Sequence, residues 1–138
     1  MKTFSFQLKT PARTAFIDIT SIIQEVVNNN RYESGIITVF TPHTTAGITI
    51  NENADPDVKH DLDYKINALI PKEDPAYTHY EGNSDSHLKS SLFSPFLTLI
   101  FENKRCILGM WQAVYFCEFD GPRTRTVYIK ILPDTPNS

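Results

Sequence analysis

The sequence predicts an α+β fold in one domain, because strand-like segments crowd both ends of the chain and helix-like segments occupy its middle. Three observations support this. Apolar residues alternate with polar ones at the start, as in Phe4, Phe6 and Leu8, and again in the last third. A central run beginning at Asp55-Pro56 carries Val58, Leu62, Ile66 and Leu69 at helical spacing. The 138 residues contain no internal repeat and no linker, so a single domain is expected.

Taken in order, residues 3–9 read as a half-buried strand and 15–19 as a second, after the break at Pro11. Ser21 followed by Gln24 matches a capping box and opens a helix carrying Ile22, Ile23, Val26 and Val27, which ends in Asn28-Asn29-Asn30. Residues 35–41 are β-branched and apolar, a buried strand ending at Pro42-His43, and 46–51 form another. Asp55 as N-cap with Pro56 at the first helical position starts a helix over 56–69. Pro71 and Pro75 bracket a loop, and a short helix from 84 to 93 is expected with Ser84 as its cap. Strands then follow at 96–101, 106–119 (with a break expected at Gly109) and 124–132. The tail from Pro133 to Ser138 is polar and expected to fray.

Composition excludes several function classes. Hydrophobic residues make up 41% and charged residues 21%, ordinary for a globular protein. The net charge of -3 speaks against general nucleic-acid binding, although Lys104, Arg105, Arg123 and Arg125 could form a local basic patch. No apolar run reaches the ~20 residues that span a bilayer, and Met1 to Phe6 has no secretory-type apolar stretch. Cys106 and Cys117 lack the C-x-x-C spacing and sit among apolar residues, so they read as reduced core thiols of a cytoplasmic protein.

Two polar segments stand out, His43 to Asp55 and His79 to Ser91, and together they suggest one composite site. Neutral imidazoles with a carboxylate or water are a common transition-metal environment. On spacing alone, each of His43, His79 and His87 could instead be hydrogen-bonded within its loop. These three are expected to converge, whereas His60 lies on the amphipathic helix facing solvent. Asp55 is explained by capping. Asn51, Glu52 and Asn53 are either a turn or ligand contacts. Lys89 and Ser90, near a helix start, could hold an anion. On the segment 111–119, Trp111, Ala113, Tyr115, Cys117 and Phe119 share one face, and Gln112, Val114, Phe116 and Glu118 the other. A strand apolar on both faces must be covered twice, within the domain or by another subunit, so a homo-oligomer is expected. Glu118 on such a strand needs a partner, and Arg123 or Arg125 is the candidate. An ion pair and a catalytic acid or substrate clamp both remain open for it.

Taken together, His43-Thr44-Thr45-Ala46, Asn51-Glu52-Asn53-Ala54-Asp55-Pro56, His79 to Ser91, Gly109-Met110-Trp111-Gln112 and Glu118-Phe119-Asp120-Gly121-Pro122-Arg123 resemble the YjbQ family, also called the secondary thiamine-phosphate synthase family. The resemblance implies a compact domain with a mostly antiparallel, β-sandwich-like core and two or three helices, assembled as a homotrimer. It also implies a histidine-lined pocket for a metal ion or a phosphate-like anion, and an activity like thiamine-phosphate synthase. His43, His79 and His87 match the family's histidines, and Asn51, Glu52, Asp55, Ser90, Gln112 and Glu118 its polar positions. The expected site therefore has Glu52, Glu118 and Gln112 in catalysis. Asn51, Asp55, Lys89, Ser90 and Arg123 contact the ligand, and the three histidines hold a divalent ion, zinc being the first choice. The expected function is a transferase handling a phosphorylated small molecule. The alternatives are metal-assisted hydrolysis, with Glu52 or Glu118 as base, and a non-catalytic metal- or phosphate-metabolite-binding protein. No nucleic-acid or membrane partner is expected.

Overall fold

The computed structural model describes residues 3–134, which form eight strands in two antiparallel sheets and three helices. In chain order these are β1 (Thr3–Lys9), β2 (Ala15–Asp18), α1 (Thr20–Asn29), β3 (Gly35–Phe40), β4 (Ala46–Glu52), α2 (Pro56–Leu69), α3 (Ser84–Leu92), β5 (Phe96–Glu102), β6 (Arg105–Cys106), β7 (Gln112–Glu118) and β8 (Thr124–Pro133). The larger sheet runs β1-β8-β3-β5-β6 and the smaller β2-β7-β4. The period-2 pattern of the sequence therefore places one face of each sheet in a shared core. Ile37 and Val39 of β3, Leu99 and Phe101 of β5, and Val127 and Ile129 of β8 meet Ile48, Val114 and Phe116 of the smaller sheet, with Ile23 and Val27 of α1 closing the layer.

The other face of the smaller sheet carries a second cluster, Phe16, Ala113, Tyr115, Cys117 and Phe119, covered by Leu62 and Ile66 of α2 and by Phe93 just after α3. The rings of Phe93 and Phe119 lie 5.1 Å apart, and those of Phe16 and Phe93 6.0 Å apart. Aromatic packing thus fixes the end of α3 against β7. Strand β7 is the middle strand and is buried on both faces by its own chain. This corrects the expectation that 111–119 needs another subunit to cover it. Trp111 is not part of the buried face at all, being 61% exposed.

Other expectations also shift. The helix expected to open at Ser21 begins at Thr20 with Ile19 in the cap position, and Asp18 Oδ1 accepts from the Thr20 N–H at 2.9 Å. Gln24, free of a capping box, accepts from Cys106 N–H and donates to the Lys104 carbonyl, tying α1 to the β5–β6 hairpin. Asn83, not Ser84, holds the N-cap position of α3, and its side chain makes no capping hydrogen bond. The long strand expected over 106–119 is interrupted between Cys106 and Gln112, where Gly109 sits. Pro133 ends β8, and the rest of the tail expected to fray lies mostly outside the described residues. Both cysteines are free thiols, and no helix among the described residues is long and apolar enough to cross a membrane.

The outward face of the larger sheet has no cover among the described residues. Ile36 pairs across with Ile100 and Leu132, and Phe40 with Phe96 and Tyr128, so two apolar rows cross three strands. These six side chains are 40–58% exposed. Contiguous exposed apolar side chains of this kind are characteristic of interaction surfaces.

Candidate functional site

The helix α3 delivers the site because two of its faces are pinned. Ser86 and Ser90, one turn apart, donate to the Phe119 and Ala46 carbonyls at 2.5 and 2.7 Å and clamp the helix onto the ends of β7 and β4. Asp85 and Lys89, the neighbouring row, form an ion pair at 2.8 Å that is almost wholly buried. Asp85 also receives both terminal nitrogens of Arg13, at 3.0 and 2.9 Å, and Lys89 donates to Asn67 of α2 at 2.7 Å. Burial would raise the Asp85 pKa, but the hydrogen bonds from Arg13 and Lys89 outweigh it and bring the carboxyl to about 2. With those rows committed, 3.6-residue periodicity turns Ser84, His87 and Leu88 outward. Lys89 and Ser90, expected to contact a ligand, instead hold the helix in place.

The opposite wall comes from the β3–β4 connection and the start of β8. The Thr126 N–H donates to His43 Nε2 at 3.0 Å, so a neutral His43 carries its proton on Nδ1. Burial first, and then the nearby Arg125 guanidinium, lower the His43 pKa, so the ring is neutral at pH 7. Arg125 is itself buried and donates through Nε and Nη2 to both oxygens of Glu118, with Nη2 also on the Thr45 hydroxyl at 2.8 Å. Glu118 further accepts from the Thr10 hydroxyl at 2.7 Å and from the Asp120 N–H at 3.0 Å. Burial pushes its pKa up, but Arg125, Thr10 and the Asp120 amide more than reverse this, and Glu118 stays ionised. The partner question is thus answered by Arg125. Glu118, expected in catalysis, has both oxygens engaged and orients Arg125. Gly121 lets the Thr10–Arg13 segment approach this clamp, since a Cβ there would stand 2.3 Å from the Ala12 carbonyl and 2.7 Å from the Thr10 hydroxyl.

His43, Thr44, Arg125, Arg123, Asp120 and His87 border one cavity of about 320 Å³. Asp120 pairs with Arg123 at 3.0 Å and accepts from Asn83 Nδ2 at 2.9 Å. Asn83 Oδ1, also in this wall, is the one buried side-chain polar atom without a hydrogen-bond partner among the described residues. His79 does not border this cavity. It stands edge-on to His87, with ring centroids 5.4 Å apart, and its Nε2 lies 3.7 Å from Glu81. His60 lies elsewhere, on exposed α2 beside Asp61. The histidines thus meet pairwise, His43 with His87 across the cavity and His87 with His79 behind it.

A metal ion does not fit this donor set. His43 spends its Nε2 lone pair on Thr126, and no group of three or more His, Cys, Asp or Glu side chains among the described residues is placed to hold an ion. The remaining expected residues lie at the far end of the smaller sheet. In the β4–β7 register Ala46 faces Glu118, whereas Glu52 faces Gln112. At ~3.4 Å per residue that separates the two ends by about 20 Å. There, Asn51 accepts from the Glu52 N–H, Gln112 accepts from the Gly109 N–H at 2.7 Å, and Asp55 caps α2 through the Asp57 N–H. None of the four borders the histidine cavity. Sequence reasoning placed Arg125 only as an ion-pair partner or part of a basic patch, and passed over Thr45 and Asn83. The signal for Arg125 was present, since a buried Glu on an apolar strand requires a cation within reach.

Comparison with known proteins agrees with this architecture. Residues 4–134 match the family described as UPF0047 protein YjbQ-like. The chain is 49% identical to the UPF0047 protein MJ1081 of Methanocaldococcus jannaschii over 95% of this chain and 94% of that protein. It is 49% identical to the UPF0047 protein YugU of Bacillus subtilis over 93% and 97%. A crystal structure of a YjbQ/UPF0047 family protein from Clostridium acetobutylicum superposes with a TM-score of 0.91 at 47% identity, covering 94% of this chain and 99% of that one. A structure from Aeropyrum pernix gives a TM-score of 0.90 at 32% identity, covering 97% and 100%. With the fold and nearly the full length in agreement, the chain belongs to the YjbQ-like UPF0047 family.

Proposed function

We propose that the cavity between His43, Arg125 and His87 binds the phosphate of a small phosphorylated metabolite, and that the protein acts there as a thiamine-phosphate-synthase-like transferase. The observation that carries this reading is the clamped guanidinium of Arg125. Glu118 and Thr45 use its Nε and Nη2, Nη1 takes no part in that clamp, and the side chain, 4% exposed, stands in the cavity wall. A preset donor of this kind needs no reorganisation when an anion arrives. The neutral His43 and Arg123 border the same space as further donors. In the reaction, the carbon–oxygen bond to an allylic pyrophosphate breaks as a thiazole nitrogen forms the new carbon–nitrogen bond. The negative charge gathering on the departing pyrophosphate meets these groups. Glu118 and Asp120 offset the two guanidiniums, so affinity rests on geometry more than on net charge.

A second reading, binding without turnover, is favoured by how the carboxylates are already engaged. Glu118 is saturated, Asp120 is paired with Arg123, Glu81 lies beside His79, and Glu52 stands at the other sheet end. The same facts argue against hydrolysis through Glu52 or Glu118. Calorimetry with thiamine phosphate and inorganic pyrophosphate, followed by single-turnover measurement with the two precursors, separates the readings. Binding with product formation supports the transferase, and binding alone supports the second reading. No binding by either compound removes both.

The apolar rows on the larger sheet support self-association, which we take as a homotrimer because of the family resemblance. Light scattering that gives a monomer at micromolar concentration would refute it.

A further inference from the structure

We infer that the site has two lobes and that its second lobe, beyond His87, selects ligands whose phosphate carries a flat aromatic body. This deepens the phosphate-binding reading above and rests on it. His87 borders the polar cavity already described and also a second cavity of about 420 Å³, walled by Ala76, Tyr77, His79 and Leu88. Each volume alone stands at the low end of the range for small-molecule sites, roughly 300–1,000 Å³. Their shared wall therefore suits one ligand with two chemically different ends.

The two lobes differ in character. The first presents a buried guanidinium, two carboxylates and threonine hydroxyls. Apart from the hydroxyl residues Thr78 and Ser84, the second is lined by aromatic and aliphatic groups: Tyr77, Ala76, Leu88, and the paired imidazoles of His79 and His87, set at 88° to each other. An edge-to-face pair of this kind offers a ring face and a ring edge to a third ring. The loop that carries the wall is tied to itself. Tyr77 OH donates to the Pro71 carbonyl at 2.7 Å, and Asp74 accepts from the Ala76 N–H at 2.9 Å. Leu88 is 47% exposed although it sits on a helix pinned by its neighbours. A leucine held outward at the rim of a cavity, facing a tethered tyrosine, gives an apolar ligand body a preformed seat. The phosphate would then lie at Arg125 and His43, with His87 at the junction.

The test is calorimetry on the full chain with inorganic phosphate, methyl phosphate and phenyl phosphate. Phenyl phosphate should bind at least tenfold more tightly than methyl phosphate. Leu88→Ser and Tyr77→Ser, each checked for an unchanged circular dichroism spectrum, should erase most of that preference. Both should leave methyl phosphate affinity within twofold. Equal binding of methyl and phenyl phosphate by the native protein overturns the aromatic lobe while leaving the phosphate site standing. A preference that survives both substitutions also overturns it, because the ring must then sit elsewhere. No binding of any of the three removes the phosphate reading and this inference with it.

Discussion

Replacing Asp85 with Asn tests whether the α3 cluster is structural, and its size follows from the geometry. Asp85 is fully buried between Arg13 and Lys89, and its carboxyl titrates at about 2 against an ordinary 3.8. That difference corresponds to about 2 kcal/mol favouring the folded state. Because the folded carboxyl releases its proton more readily than the unfolded one, this contribution is complete above pH ~4. It is lost as the pH falls from there through about 2. The uncharged amide of Asp85→Asn cannot supply it at any pH, and the change also leaves the Lys89 ammonium, 1% exposed, without its counter-ion. Breaking a buried pair from one side costs about 3–5 kcal/mol, which should lower the urea midpoint by about 2 M. Adding Lys89→Met to Asp85→Asn should restore at least ~1 kcal/mol, since the stranded charge is then gone and Arg13 remains partly solvated. Equilibrium urea unfolding of the native and substituted proteins at pH 7 and pH 3 reads all of this. A loss below ~1 kcal/mol for Asp85→Asn, or a loss of phosphate binding by folded Lys89→Met, would refute the structural assignment and return Lys89 to the ligand.

Glu118→Gln should destabilise by about 3 kcal/mol or more and weaken phosphate binding at least tenfold, because Arg125 loses both its counter-ion and its anchor. Thr10→Val should cost about 2–3 kcal/mol, because the hydroxyl both donates to Glu118 and accepts from the Arg123 N–H, and unchanged phosphate affinity in folded Glu118→Gln would detach Arg125 from the site. The His43 ring should titrate below 6.5 by NMR, and its contribution to stability, present above that pH, should fade on acidification because the unfolded chain takes the proton more readily. A midpoint at or above 6.5 would contradict the neutral ring hydrogen-bonded to Thr126. Ile100→Asp, on the exposed face of the larger sheet, should convert the proposed homotrimer to monomer in light scattering without loss of helical signal. Dialysis against EDTA should leave the thermal midpoint unchanged, and a fall of several degrees would restore the metal hypothesis.

The elements were legible where a local rule had no competitor. Asp55-Pro56 sets the α2 start to the residue, and its apolar spacing identifies Leu62 and Ile66 as the contacts. The Ser21–Gln24 pattern failed because tertiary partners claimed Gln24, and a local cap cannot outbid a connection that spans the domain. The site was half legible. His43 and His87 do share a cavity, but Glu52, Asn51 and Gln112 belong to the opposite end of the sheet. The length of β4 alone carries Asn51 and Glu52 away from His43, whereas the placement of Gln112 beside Glu52 depends on the antiparallel register with β7. Lys89 was misread as well. It was expected near a helix start, but it lies in the last turn of α3, where its i−4 neighbour Asp85 claims the ammonium.

The place of β8 between β1 and β3 has a consequence for how the protein is made. Synthesis proceeds from the amino end, so β1 and β3 emerge long before the strand that joins them. Until β8 arrives, β1 has no partner in its sheet and β3 has only β5. Strand edges left open during translation invite pairing with other nascent chains. Completion of the larger sheet is therefore a late event, and a nonsense or frameshift lesion ahead of Thr124 would release an open-edged, aggregation-prone fragment instead of a smaller working domain.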